Sequence, residues 1–215
     1  KPVSRIGFKL FTKESTITDD SVLTVAVAEW MLDREHTDIA ESLKKWARKY
    51  PHAGYGSSFK RFLSGSSAIC NSTHNGAVMR VGSVGYLASS IEECMKLAKE
   101  SAIPSHGSDV AMAAAQAAGT AIYLAREGKS KDEIREFIEV TFGYNLHRTY
   151  DEVRSEILQA RASRNVDYET SHERIVGAEF ALQDALIAFL SGNGYEDVIR
   201  KAIYLGGDAD TDAAI

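Results

Sequence analysis

Apolar residues recur three and four positions apart along almost the whole chain, the spacing that gathers them on one face of an α-helix. After Asp19 and Asp20, the run Val22, Val25, Ala26 and Trp30 predicts a first helix ending near Asp33. Ile39, Leu43, Trp46 and Ala47 predict a second, stopped by Pro51 and Gly54. Ser90 followed three residues on by Glu93 reads as a capping box ahead of Ile91, Cys94, Met95 and Ala98. Over residues 108–127, Met112, Ala115, Gln116, Ala118, Gly119, Ile122 and Tyr123 form the most alanine-rich stretch, whose small side chains let neighbouring helices approach closely. This helix is expected to be central. Gly128, Lys129 and Ser130 close it and cap the next, which places Ile134, Phe137, Ile138 and Val140 on one side. A further buried helix is predicted over residues 175–190, ended by Gly192 and Gly194, and a short one over residues 195–205, ended by Gly206 and Gly207. No strand, internal repeat or linker stands out, so the expectation is an all-α chain forming one domain over residues 1–215.

Composition narrows the class further. With 215 residues, 44% hydrophobic and 26% charged, the chain can bury one sizeable core. A formal net charge of -5 supplies no basic footprint for phosphate binding, so nucleic acid enters only as a modified substrate. Cys70 and Cys94 are too few for a disulfide framework or a thiolate zinc site, which favours a reducing compartment. No apolar stretch is long enough to span a membrane, and the opening residues Lys1 to Ile6 lack the apolar segment of a leader. The expected location is cytoplasmic.

Chemistry concentrates in two acidic clusters. Thr18, Asp19 and Asp20 stand at the predicted start of the first helix, and Asp208, Asp210 and Thr211 follow a Gly-Gly turn near position 215. Helix capping explains one such oxygen at each place, because an N-cap needs a single acceptor. It does not explain two carboxylates and a hydroxyl within four residues. Adjacent carboxylates repel one another unless a cation or several N–H donors compensate. Paired aspartates with threonine hydroxyls form the oxygen-rich donor set of hard divalent cations, leaving magnesium, manganese and calcium open. Zinc fits less well, since His36, His52, His74, His106, His147 and His172 are scattered.

At these residues the sequence resembles a known family. TDDSVLTVAVA at 18–28 and LGGDADTDAAI at 205–215 are similar to the first and last metal motifs of the ADP-ribosylglycohydrolases, the ADP-ribosyl-acceptor hydrolases. NGAVMRVGSVG at 75–85 resembles their glycine-rich middle motif, and SHGSDVA at 105–111 and ALQDALIAFL at 181–190 fall in the family's order. The resemblance implies a compact, single-domain orthogonal helical bundle holding two magnesium ions, with manganese as a substitute, and binding ADP-ribose or an ADP-ribosylated acceptor. Carried over by position, it makes Thr18, Asp19, Asp20, Asp208, Asp210 and Thr211 metal ligands, with Asp20 or Asp210 as the general base. It also implies that the family's first and last helices are missing from this sequence. Ala209 stands where the family usually has threonine, Asp212 where it has an aliphatic residue, and His74 where it has glycine.

A diphosphate needs N–H donors on a closely approachable backbone, often beside a helix start. Ser72, Thr73, His74, Asn75 and Gly76 read as such a loop, ahead of a helical-looking stretch over residues 77–80, and the resemblance assigns them to substrate. It assigns Tyr55, Gly56 and His106 to the same cleft. Arg80 reads instead as a structural ion pair and is left out of the site. The implied reaction is magnesium-dependent hydrolysis of the N- or O-glycosidic bond that links ADP-ribose to an acceptor. Two competing readings are a catalytically inactive ADP-ribose-binding or structural protein on the same fold, and metal-dependent phosphate-ester hydrolysis.

Overall fold

The hydrophobic spacing is realised as helix throughout, with no strand among the described residues, which are 3–65 and 70–215 of a computed structural model. Lys1 and Pro2, at the head of the segment read as no leader, lie outside them. In chain order the helices are α1 (Asp19–Leu32), α2 (Ile39–Lys49), α3 (Ser57–Leu63), α4 (Gly82–Leu87), α5 (Ile91–Ala102) and α6 (Asp109–Arg126). α7 (Lys131–Phe142), α8 (Tyr150–Ser163), α9 (Tyr168–Val176), α10 (Ala178–Ser191), α11 (Tyr195–Leu205) and α12 (Ala209–Ala214) complete the fold, and a 3-10 turn at Asn75–Ala77 precedes α4. No helix among the described residues is long and apolar enough to cross a membrane. Cys70 and Cys94 are free thiols.

α6 is the axis of the core. Ala111, Ala114, Ala115, Ala117 and Ala118 are buried along it, and α4, α5, α7 and α10 pack round it. Small side chains permit that approach: a Cβ placed on Gly85 of α4 would lie 2.4 Å from the Gly119 carbonyl of α6, so only glycine allows the two backbones to touch there. Leu23, Val27, Leu43, Ile134, Ile138, Ile157, Leu182 and Leu205 extend the buried cluster onto six helices, α1, α2, α7, α8, α10 and α11.

Local details differ from the pattern-based expectation in four places. The predicted helix over 175–190 is two helices, because Gly177 adopts an extended conformation (ψ 138°) and the Ala178 N–H is taken by the Thr73 carbonyl at 2.9 Å. α8 and α9, absent from the prediction, carry few apolar residues and bury only one stripe each, Val153 and Ile157, and Ile175 with Ser171. Val140 is 81% exposed; it lies two residues beyond Ile138, about 200° further round a helix that turns roughly 100° per residue. The Ser90 hydroxyl accepts from the Glu93 N–H at 3.1 Å, but the Glu93 carboxylate goes to the Ser89 N–H and Arg34, so the box stays open.

Candidate metal and substrate site

The two acidic clusters, nearly 200 positions apart in sequence, meet at the buried start of α1. Thr211 Oγ donates to Asp20 Oδ1 at 2.9 Å, and Thr18 Oγ donates to Asp20 Oδ2 at 2.7 Å. Asp208 accepts from the Asn75 side-chain amide at 2.9 Å, which ties the middle motif to the last. Asp19 is anchored through its backbone N–H on the Ala53 carbonyl at 2.7 Å. Behind Asp208, Arg161 of α8 donates to the carbonyls of Gly206 and Gly207, holding the turn from which the last cluster projects.

Capping can be tested directly. Asp38, Ser90, Ser108, Ser130, Thr149 and Asp167 each occupy an N-cap and each accept a backbone N–H through the side chain. Thr18 and Asp208 also occupy N-cap positions, of α1 and α12, and neither makes that bond. The Thr18 hydroxyl turns instead to Asp20 of its own cluster and the Asp208 carboxylate to the Asn75 amide, while Thr211 makes the bond that crosses between the clusters. This costs each helix start the roughly 1 kcal/mol that a cap supplies, so another demand dominates at both places.

Together these residues line a cleft of about 470 Å³, a size suited to a small organic ligand. Asp19, Asp20, Asp208, Asp210 and Thr211 line it together with Gly56, Ser72, His74, Asn75, Gly76 and His106. No lysine or arginine is among the described lining residues. Burial raises Asp19 to about 6, helped by the neighbouring charges of Asp20, Asp210 and Asp208. Burial likewise raises Asp20, with Thr18 and Thr211 opposing, and raises Asp208, with the Asn75 amide opposing. A cluster of acids strained in this way, with histidine the only basic side chain type among the described lining residues, fits a divalent cation by its donor chemistry. Among the described residues, no three acidic, imidazole or thiolate groups already converge on one point as an ion would require. Asp20 and Asp208 are turned instead to the hydroxyl and amide partners named above, which an ion would have to displace.

Several expected site residues stand elsewhere. Tyr55 is 3% exposed, stacks on Phe59 at 5.3 Å between ring centroids and donates to the Tyr50 carbonyl, so it packs the core behind Gly56. Thr73 is exposed outside the cleft wall, while its carbonyl pairs with α10. The 3-10 turn at Asn75–Ala77 is followed by further turn rather than by a helix over 77–80. Among the described residues Arg80 has no ion-pair partner: it is fully buried and its hydrogen bonds go to oxygens of Ser101 and Ser105. Asp212 turns away from the cleft into a groove beside α6, α10 and α11, 3% exposed with both oxygens unpartnered, and burial pushes its pKa well up.

One wall was not anticipated. Tyr168, His172 and Val176 bring a face of α9 into the cleft. Tyr168 and His172 stack at 5.2 Å with planes 14° apart, and His74 meets His172 edge-on at 5.3 Å. The four-residue spacing of Tyr168, His172 and Val176 was a usable signal, hidden because α9 is short and mostly polar.

The chain is similar to several known proteins. A family model described as ADP-ribosylglycohydrolase matches residues 2–215. ADP-ribosylhydrolase ARH3 of Mus musculus is 30% identical over 145 residues, 59% of this chain and 39% of its own length. The Bos taurus ARH3 is 28% identical over 151 residues, 62% of this chain and 41% of its own. The chain thus spans about two fifths of these curated relatives. An uncharacterized protein of Archaeoglobus fulgidus is 29% identical over 215 residues, 92% of this chain and 68% of its own length. Among solved structures, a chain of an ADP-ribosylglycohydrolase-related protein complex shares the fold, with a TM-score of 0.66 at 24% identity, covering 92% of this chain and 67% of that one.

Proposed function

The chain belongs to the ADP-ribosylglycohydrolase family, and from that premise we propose that it hydrolyses the N- or O-glycosidic bond between ADP-ribose and an acceptor, releasing ADP-ribose. The observation that carries this reading is the acidic cleft in which Thr18 and Asp208 forgo capping and Thr211 bonds Asp20 across the two clusters. Thr18, Asp19, Asp20, Asp208, Asp210 and Thr211 would hold two magnesium ions, with manganese as a substitute. When bound, such ions supply positive charge that orients ribose hydroxyls and makes a nearby water more acidic.

The chain's own groups divide the remaining work. Both Asp20 oxygens accept hydroxyl hydrogen bonds, whereas Asp210 is exposed at the cleft, so Asp210 is the better placed to take the proton of the attacking water on a carboxylate oxygen. Positive charge that builds on the anomeric carbon as the bond breaks is favoured by the surrounding carboxylates. The loop at 72–76 and His106 would face the diphosphate, and the Tyr168–His172 pair offers an aromatic surface to the adenine. Incubation with arginine-linked, serine-linked and nucleic-acid-linked ADP-ribose, with product analysis, tests the proposal. Free ADP-ribose formed only with magnesium is the expected result. Released phosphate would instead mean ester hydrolysis, and no product from any substrate, with ADP-ribose raising the melting temperature equally with and without magnesium, would leave a binding protein.

A further inference from the structure

Arg80 carries a positive charge into the core with no carboxylate beside it among the described residues. Its Nη2 donates to the Ser101 carbonyl at 2.7 Å and to Ser105 Oγ at 2.9 Å, while Nε and Nη1 have no partner among the described residues. Burial pushes its pKa down to about 9, which still leaves it protonated at neutral pH. Ser105 Oγ also lies 2.8 Å from Nδ1 of His106, and both residues are buried.

Hydrogen counting along this chain has one satisfied solution. A guanidinium only donates, so the serine oxygen accepts from Arg80 and its own hydrogen needs another acceptor. His106 Nδ1 is within reach, and accepting there leaves the ring proton on Nε2. The reverse arrangement, with Nδ1–H donating to Ser105, strands a hydroxyl hydrogen in a fully buried position. A second ring proton is opposed first by burial and then by the charge of Arg80. The far edge of the ring lies against Gly76, where an added Cβ would stand 2.8 Å from Nε2 and Cε1, and the ring lines the cleft together with the carboxylates.

We propose that Arg80, acting through Ser105, is a positioning residue that locks His106 as its Nε2–H tautomer, so that an acidic cleft presents one fixed, uncharged donor to an oxygen of the substrate. The substrate half rests on the function proposed above; the tautomer half stands without it. Arg80 thus orients a site side chain from the core without entering the cleft, and its missing acid partner is required, because a carboxylate beside it would compete for the serine hydrogen.

Long-range 1H–15N correlation spectra of protein labelled with 15N-histidine at pH 7 read the tautomer directly, with His106 assigned by the signal lost in His106→Gln. The parent protein should show a single tautomer protonated at Nε2. Ser105→Ala should move the His106 signals toward an average of both tautomers. An Nδ1–H tautomer in the parent, or an unchanged spectrum in folded Ser105→Ala, overturns the proposal. Calorimetric titration with ADP-ribose tests the substrate half: His106→Gln, which can place an amide N–H near Nε2, should bind within about threefold of the parent, and His106→Asn, which cannot, should lose roughly tenfold, the scale of one hydrogen bond. Equal losses overturn that half. No ADP-ribose binding by the parent overturns it together with the proposed function, while the tautomer is judged on the spectra alone.

Discussion

Replacing Asp19 by asparagine should make the metal-free protein more stable at neutral pH, although it removes an acid from the first turn of a helix. The carboxyl rises from 3.8 to about 6 on folding, first through burial and then through Asp20, Asp210 and Asp208. At about 1.4 kcal/mol per pH unit this sets a ceiling of about 3 kcal/mol on the cost of ionising Asp19 in the folded state. Partial exposure to solvent screens roughly half of it. Loss of a favourable charge at the α1 N-terminus subtracts about 0.5 kcal/mol more. A net gain on the order of 1 kcal/mol remains, or roughly 2–4 °C in melting temperature for a chain of this size. The sign follows from a raised folded-state value: the penalty is absent below 3.8, grows as pH rises, and is complete once pH passes about 6. Thermal unfolding of parent and variant in a chelator at pH 4.5, 6 and 7.5 should therefore show a difference that widens with pH. Saturating magnesium at pH 7.5 should erase or reverse it, because the parent gains more from the cation. A variant less stable than the parent in chelator at pH 7.5, or a difference independent of pH, would refute the strained-carboxylate reasoning.

Joint replacement of Asp208 and Asp210 by asparagine should abolish turnover and magnesium binding by calorimetry while the circular dichroism spectrum is kept, since an Asn oxygen at 208 can still accept from Asn75; full activity would reduce the motif to a helix start. Arg161→Met should free the Gly206 and Gly207 carbonyls, lowering stability by about 1–3 kcal/mol in denaturant titration and weakening magnesium binding through a looser turn. Tyr168→Ala should weaken ADP-ribose binding by roughly fivefold, the scale of one aromatic contact, and leave ribose 5-phosphate binding unchanged; equal loss for both ligands would remove the stacking role. Gly76→Ala should push a methyl group into the His106 ring and raise KM more than it lowers kcat, measured by steady-state kinetics.

Much of the fold is written locally. The helix starts and stops at α1, α2, α6, α7 and α11 follow from three- and four-residue apolar spacing, capping hydroxyls and glycine, all of which act over one or two turns of backbone. The excess of oxygen donors over capping need in the two aspartate clusters was also local information, and it pointed to the two segments that the structure brings together. What local pattern could not supply is which side chains reach across. Tyr55 and Thr73 stand next to site residues in sequence, yet one is drawn into the core by Phe59 and the other faces solvent because its carbonyl pairs with α10. Asp212 shares a motif with Asp210 but points to the opposite side of a six-residue helix, two positions and about 200° away. Arg80 looked like half of an ion pair, and only the packing of α5 behind it shows that its partners are a carbonyl and a hydroxyl. The aromatic wall of α9 belongs to the site because Gly177 breaks the chain and the Thr73 carbonyl captures the next N–H, a contact across about a hundred residues. Side-chain chemistry and helix period are properties of neighbouring residues, so sequence determines them. Convergence of segments far apart in the chain depends on how buried faces pack, and that is decided only when the core closes.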